Sequence, residues 1–150
     1  MSKYRTINEW NHFSFEEAVI GEIELKSGTL TFYLDNVKIL DNNSANRDIR
    51  TMRCNEMSFA IDDARILTFV EEGYKMYDAD GKLRTQVDDR EIAIDDYISE
   101  LGKLSGCVLN SITKEDNIYI ISIDTEDHTY GMTVEGSRDV AQWERFLSVE

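Results

Sequence analysis

The sequence predicts an α+β fold, mainly antiparallel β, with about 8–9 strands in hairpins forming a sheet or sandwich, and two short helices. Apolar and polar residues alternate over short runs, the period of a half-buried strand, and clusters of Gly, Asp, Asn and Ser separate these runs. An apolar stripe of helical period is found only near residues 97–104 and 140–147. Because 150 residues contain no proline and no linker-like segment, we expect a single domain, 1–150.

The first predicted hairpin lies in the N-terminal third of the chain. Residues 17–26 and 29–34 both alternate, and Ser27-Gly28 supplies the turn between them. Shorter strands are predicted within 37–40, 52–61 and 66–70, with a loop over 41–48.

A second hairpin is predicted over residues 74–87, turning at 78–81. A two-residue or a four-residue loop places four apolar side chains on one face: Tyr74, Met76, Leu83 and Val87. A three-residue loop would instead set Tyr74 and Met76 against Arg84 and Gln86, so the apolar pattern disfavours it.

Residues 107–136 predict three strands joined by two polar turns, at 114–117 and 126–128. The middle strand, 118–123, is apolar on both faces. That pattern is typical of a central strand that is covered on both sides.

Two helices complete the prediction. Asp95 is placed as the N-cap of the first, whose apolar stripe comprises Tyr97, Ile98, Leu101 and Leu104. Ser137 is placed as the cap of the second, with Val140, Trp143 and Leu147 on one face.

The net charge of −14 is the strongest global property of the chain. Such a surface is a poor match for nucleic acid or an anionic membrane, because phosphate contact needs basic residues. It would attract a basic protein, although acidity also simply keeps a protein in solution. No apolar run approaches the ~20 residues of a membrane span, and the N-terminus lacks the apolar core of a secretory signal. We therefore expect a cytoplasmic protein with reduced Cys54 and Cys107.

No motif in the sequence specifies catalysis, a metal or a cofactor. The two histidines, His12 and His128, lie in no nucleophile motif, and neither is paired with a cysteine at the spacing of a zinc site. Residues 78–81 resemble part of a calcium loop, but the first and twelfth ligand positions would fall on Met76 and Val87. We therefore predict no catalytic residue, no metal ligand and no cofactor.

Acidic doublets are the candidate binding residues. In the favoured hairpin registers two doublets meet at the open end of the 74–87 hairpin, and a third begins the predicted helix: Glu71 and Glu72, Asp88 and Asp89, Asp95 and Asp96. Clustered like charges would gain from a cationic partner. Ordinary solvated turns and a helix N-terminus explain the same doublets without function.

These observations favour a non-enzymatic acidic module that binds a basic protein. Small, acidic chains without motifs resemble in type the immunity proteins that inhibit basic toxin or nuclease domains, although no motif carries this resemblance. Two alternatives stay open: a small-ligand-binding β protein with a cavity in its sheet, and an enzyme with a carboxylate site that no motif marks.

Overall fold

The structure, a computed structural model, describes residues 2–149 and contains fifteen strands and one α-helix in that range. The strands in chain order are β1 (Tyr4–Ile7), β2 (Phe13–Ser14), β3 (Val19–Lys26), β4 (Thr29–Asp35), β5 (Val37–Ile39), β6 (Met52–Cys54), β7 (Met57–Asp62), β8 (Arg65–Glu71), β9 (Tyr74–Tyr77), β10 (Leu83–Val87), β11 (Arg90–Glu91), β12 (Val108–Glu115), β13 (Ile118–Asp124), β14 (Thr129–Glu135) and β15 (Arg138–Trp143). The α-helix is α1 (Tyr97–Lys103), and 3₁₀ turns cover Trp10–His12 and Ile94–Asp96.

Ten strands form one antiparallel sheet in the order β1-β15-β7-β4-β3-β12-β13-β14-β8-β11. Its two halves meet where Val19 of β3 pairs with Val108 of β12, and backbone hydrogen bonds such as Ile20 to Cys107 flank this pair. The inner faces of both halves contribute to one buried cluster, and the Tyr119 hydroxyl of β13 donates to Asp139 Oδ2 of β15 at 2.7 Å. The mainly antiparallel architecture is therefore confirmed, with strands β2, β5 and β6 forming a separate small sheet.

The β3–β4 hairpin is confirmed with its predicted turn. Ser27 and Gly28 both have positive φ, 53° and 78°, as a two-residue turn that matches the strand twist requires. Ile23 pairs with Phe32 and Leu25 with Leu30.

The three strands predicted over 107–136 are confirmed as β12, β13 and β14. Tyr119, Ile121 and Ile123 of β13 are fully buried. The other face is open, since Ile120 is 45% exposed and lies opposite Thr133. The expected cover on both sides is therefore wrong: β-branched residues suit the exposed face of a sheet as well as a covered one.

One of the two predicted helices is confirmed. The chain enters α1 directly after the 3₁₀ turn at Ile94–Asp96. The predicted N-cap, Asp95, is wrong, because Asp96 occupies the N-cap position of α1. The Asp96 side chain makes no capping hydrogen bond.

The second predicted helix is wrong, because Arg138–Trp143 forms β15. The spacing of the apolar residues at 140, 143 and 147 fits a helix. Ala141 and Trp143 also fit the two-residue period of a strand, and both are buried in β15. Pairing with β1 on one side and β7 on the other satisfies the backbone of this segment.

The hairpin of β9 and β10 forms a two-stranded sheet of its own. Tyr74 pairs with Val87, and Met76 lies opposite Thr85 on the same face, which is the register expected for a two-residue loop. The tip itself has the three-residue loop that the apolar pattern disfavoured, since the Asp78 amide donates to the Lys82 carbonyl oxygen. An irregularity between Leu83 and Thr85 sets Leu83 opposite Tyr77, so the expected position of Leu83 beside Met76 is wrong. All nine residues of the two strands are exposed.

Candidate functional site

The six acids predicted to bind a partner fall into two groups in the structure. Four lie together at the base of the β9–β10 hairpin: Glu71, Glu72, Asp88 and Asp89. The Gly73 amide donates to Asp89 Oδ1 at 2.6 Å, which joins the two doublets. Asp95 and Asp96 belong to the 3₁₀ turn before α1, whose Ile94 lines a different, mostly apolar surface cavity with Leu67 and Tyr97.

Glu71 is paired within the fold. The Arg90 guanidinium donates to both Glu71 oxygens, at 3.2 and 3.3 Å, and to both Glu100 oxygens at 3.2 Å. The Tyr130 hydroxyl donates to Glu71 at 2.7 Å, and Lys103 donates to Glu100 at 3.1 Å. The expectation that Glu71 repels the other three acids of the hairpin base is therefore wrong, because Arg90 neutralises it.

The titration of these groups reflects this network. Hydrogen bonds from Arg90 and then Tyr130 lower the pKa of Glu71. Burial raises the pKa of Glu100, but the hydrogen bonds from Arg90 and Lys103 outweigh it and the net shift is downward. Burial and the bond to Glu71 raise the pKa of Tyr130, so its hydroxyl stays a donor.

The base of the hairpin is tightly packed at Gly73. A Cβ at this position would lie 1.9 Å from the Val87 carbonyl oxygen and 2.6 Å from the Asp88 carbonyl carbon. Only glycine allows this close approach of the two backbones. The acids at 72, 88 and 89 are therefore held at fixed positions around the junction.

A surface cavity of about 460 Å³ lies beside this junction, between the start of β9 and the β13–β14 turn. We call it the acidic basin; its lining residues are Glu72, Gly73, Tyr74, Asp124, Thr125, Glu126, Asp127, His128 and Thr129. Four of these nine residues carry carboxylic acids, and none is Lys or Arg. The basin therefore concentrates negative charge in a concave surface, where the field is strongest.

The β13–β14 turn holds one wall of the basin in place. Thr125 Oγ1 accepts hydrogen bonds from the His128 amide at 2.9 Å and the Asp127 amide at 3.3 Å. Thr129 Oγ1 donates to Asp124 Oδ1 at 2.9 Å. These bonds order the turn that carries Glu126 and Asp127.

An aromatic pair, Tyr74 of β9 and His128 of the β13–β14 turn, connects the two walls of the basin. The rings of Tyr74 and His128 lie 6.2 Å apart, and Nδ1 of His128 is buried without a hydrogen-bond partner among the described residues. The sequence marks His128 only as a turn residue. Tyr130 of β14 pairs with Glu71 of β8, and this pairing brings the β13–β14 turn next to the β9–β10 hairpin. Local sequence patterns do not reveal a contact between such distant segments.

The remaining reactive side chains are dispersed. Both thiols are free; burial raises the pKa of Cys54 to about 12 and raises that of Cys107 as well. Within residues 2–149 no three His, Cys, Asp or Glu side chains are arranged to hold a metal ion. Burial also raises the pKa of Asp139, which lies in the core against Tyr119 and lines no cavity described above.

The one α-helix in the described range is too short to cross a membrane, and no other helix there meets the requirement.

Comparison of the chain with protein-family models, with curated proteins and with solved structures gave no match.

Proposed function

We propose that this protein is a non-enzymatic acidic module that binds a basic protein, in the manner of an immunity-type inhibitor of a basic toxin or nuclease domain. The observation that carries the proposal is the acidic basin: a concave surface with four carboxylic acids and neither Lys nor Arg in its lining. A chain with a net charge of −14 would steer a basic partner towards this surface.

In this proposal a Lys or Arg side chain of the partner enters the basin. Glu72, Glu126 and Asp127 supply carboxylates from two sides, and the Tyr74 ring offers a face to the cation. The repulsion among these acids in the free protein is relieved when the cation arrives. That relief adds to the binding free energy.

The six predicted acids take different roles in the proposal. Glu72 belongs to the basin, while Asp88 and Asp89 line a second shallow cavity that shares Gly73 and Tyr74 with it. Glu71 holds the site together through Arg90 and Tyr130 and makes no direct contact with the partner. Asp95 and Asp96 contribute only to the long-range field.

The test is a titration of a short peptide of alternating lysine and serine into the protein, by calorimetry, at about 20 mM and about 150 mM NaCl. The basin variant carries Glu72→Gln, Glu126→Gln and Asp127→Asn. A matched control carries Glu22→Gln, Glu24→Gln and Glu115→Gln, which remove the same charge from acids that do not line the basin.

We expect the basin variant to weaken binding about ten-fold at the lower salt concentration and to flatten its salt dependence. The control should change the affinity less than about two-fold. Equal losses in the two variants would overturn the proposal, because net charge alone would then explain binding.

A further inference from the structure

The β9–β10 hairpin carries apolar side chains that the protein itself does not cover. Five large apolar residues of the two strands are between 36% and 59% exposed: Tyr74, Met76, Tyr77, Leu83 and Val87. Both faces of this two-stranded sheet are exposed along its whole length. An exposed concentration of apolar residues on a monomer marks an interaction surface.

The hairpin is nevertheless held in a defined shape at both ends. At its base, β11 pairs with β8 so that Arg90 lies opposite Glu71, and their side chains form an ion pair. At its tip, Asp78 Oδ1 accepts the amides of Asp80 and Lys82, each at 2.9 Å. A two-stranded hairpin alone is marginally stable, so contact with a partner would stabilise this one further.

The charges of the hairpin identify the kind of surface that it fits. Between residues 72 and 89 there are five acids and three bases, and the acids lie at the two ends, around the apolar middle. Arg84 is paired with Asp78 at 3.0 Å. Lys82 and Arg84 balance the two acids of the tip, so the unbalanced acids are those of the base. The complementary surface is therefore apolar where it meets the middle of the hairpin and basic where it meets the base.

We propose that the β9–β10 hairpin is a docking arm that inserts into an apolar cleft of the same basic protein that the basin binds, with Tyr77 and Leu83 on one face of the arm and Met76 on the other. The inference rests on the proposed function and adds the chemistry of the partner: a basic surface that includes an apolar cleft. Exposed aromatic and methionine side chains are the types that contribute most at such contacts. A second copy of this chain is a poorer occupant, because its acids would meet the same acids.

The test compares two peptides of equal charge, one alternating lysine and serine, the other alternating lysine and leucine. The arm variant carries Met76→Thr, Tyr77→Thr and Leu83→Thr, because β-branched threonine favours a strand while it removes the large apolar side chain. The control carries Ile49→Thr, Ile120→Thr and Val149→Thr, three exposed apolar residues outside the hairpin and the basin. Light scattering reports the oligomeric state of each protein, and hydrogen exchange at 74–87 reports whether the hairpin stays formed.

We expect the wild-type protein to prefer the leucine peptide about ten-fold, and the arm variant to lose that preference. The arm variant should keep its affinity for the serine peptide, and the control should keep both affinities. If the arm variant loses protection at 74–87, Tyr77→Thr alone should still reduce the preference about three-fold.

Three results would overturn the inference. The arm variant could retain the preference for the leucine peptide, or the wild-type protein could show no such preference. The third result is a wild-type protein that is a dimer in light scattering and an arm variant that is a monomer. Loss of serine-peptide binding in the basin variant together with any of these would leave the proposed function standing. Unchanged serine-peptide binding in the basin variant would instead remove the proposed function, whatever the arm variant does.

Discussion

The guanidinium of Arg90 contacts the carboxylate of Glu100 through two parallel hydrogen bonds, Nη1 to Oε1 and Nη2 to Oε2, each 3.2 Å long. This geometry is the bidentate pairing in which arginine binds a carboxylate most strongly. The Glu100 side chain is only 5% exposed, so the pair joins α1 firmly to β11. Through Glu71 the same guanidinium also fixes the end of β8, from which the docking arm departs.

Adjacent glutamates at the base of the arm should differ in their effect on stability. Glu71→Gln removes the charge that Arg90 and Tyr130 contact, and should lower the free energy of unfolding by about 1 kcal/mol. Glu72→Gln, in the basin, should leave it unchanged or slightly higher, because only like charges are relieved. Urea melts of the two single variants measure this. A loss for Glu72→Gln as large as that for Glu71→Gln would show that the basin acids are structural.

The contribution of Glu71 should depend on pH in a defined sense. Its pKa is lowered in the folded state by Arg90 and then Tyr130, so folding releases protons and the stabilisation is present at neutral pH. It is lost as the pH falls below about 4.3, the ordinary pKa of glutamate, towards the lowered value. The wild-type protein and Glu71→Gln should therefore differ in melts at pH 7, and the difference should shrink as the pH falls below about 4.3. A difference in the free energy of unfolding that grows on acidification would contradict the assigned pairing of Glu71. The raised pKa of Asp139 has the opposite effect on stability, but it is common to both proteins and cancels in the comparison.

Two glycine-to-alanine substitutions should have opposite effects. Gly73→Ala would bring a Cβ to 1.9 Å from a backbone oxygen, so the base of the arm must open and protection at 74–87 should fall. Gly102→Ala meets nothing within 4 Å and lies in α1, so it should raise the free energy of unfolding by about 0.5–1 kcal/mol. Hydrogen exchange and urea melts measure the two effects. Unchanged protection in Gly73→Ala would mean that the arm is not packed at its base as described.

Ile121 should be a strong determinant of stability, because it is fully buried in β13 between Ile112 and Met132 of the neighbouring strands. Ile121→Ala should cost about 2–5 kcal/mol in denaturant melts. Ile120→Ala, at the exposed neighbouring position, is the matched control and should cost far less. A loss for Ile121→Ala below about 0.5 kcal/mol would contradict the central position of this strand.

The parts of the fold that could be predicted are local. The β3–β4 hairpin and the β12–β14 unit were predictable because alternation and turn residues lie within a few positions of each other. Strand β15 could not be predicted, since its apolar residues fit the period of a helix as well as that of a strand. The choice was made by pairing with β1, at the other end of the chain, where Tyr4 lies opposite Trp143.

The same distinction applies to the candidate site. Hairpin register predicted that Glu72, Asp88 and Asp89 lie close together, because all three belong to one local unit. Glu126 and Asp127 could not be assigned to the site, since only the pairing of β14 with β8 carries their turn to the basin. The sequence offers Arg90 as a base close to these acids, but only the pairing of β11 with β8 sets it opposite Glu71.

Chemical-shift mapping of the lysine–serine peptide on the isotope-labelled protein tests the central claim most directly, because it locates the bound cation without any substitution. We predict that the largest amide shifts fall at Glu72–Tyr74 and at Asp124–Thr129, the two walls of the basin. Shifts spread evenly over the acidic surface, or concentrated in the cavity formed by Asp35, Glu56 and Glu144, would contradict it.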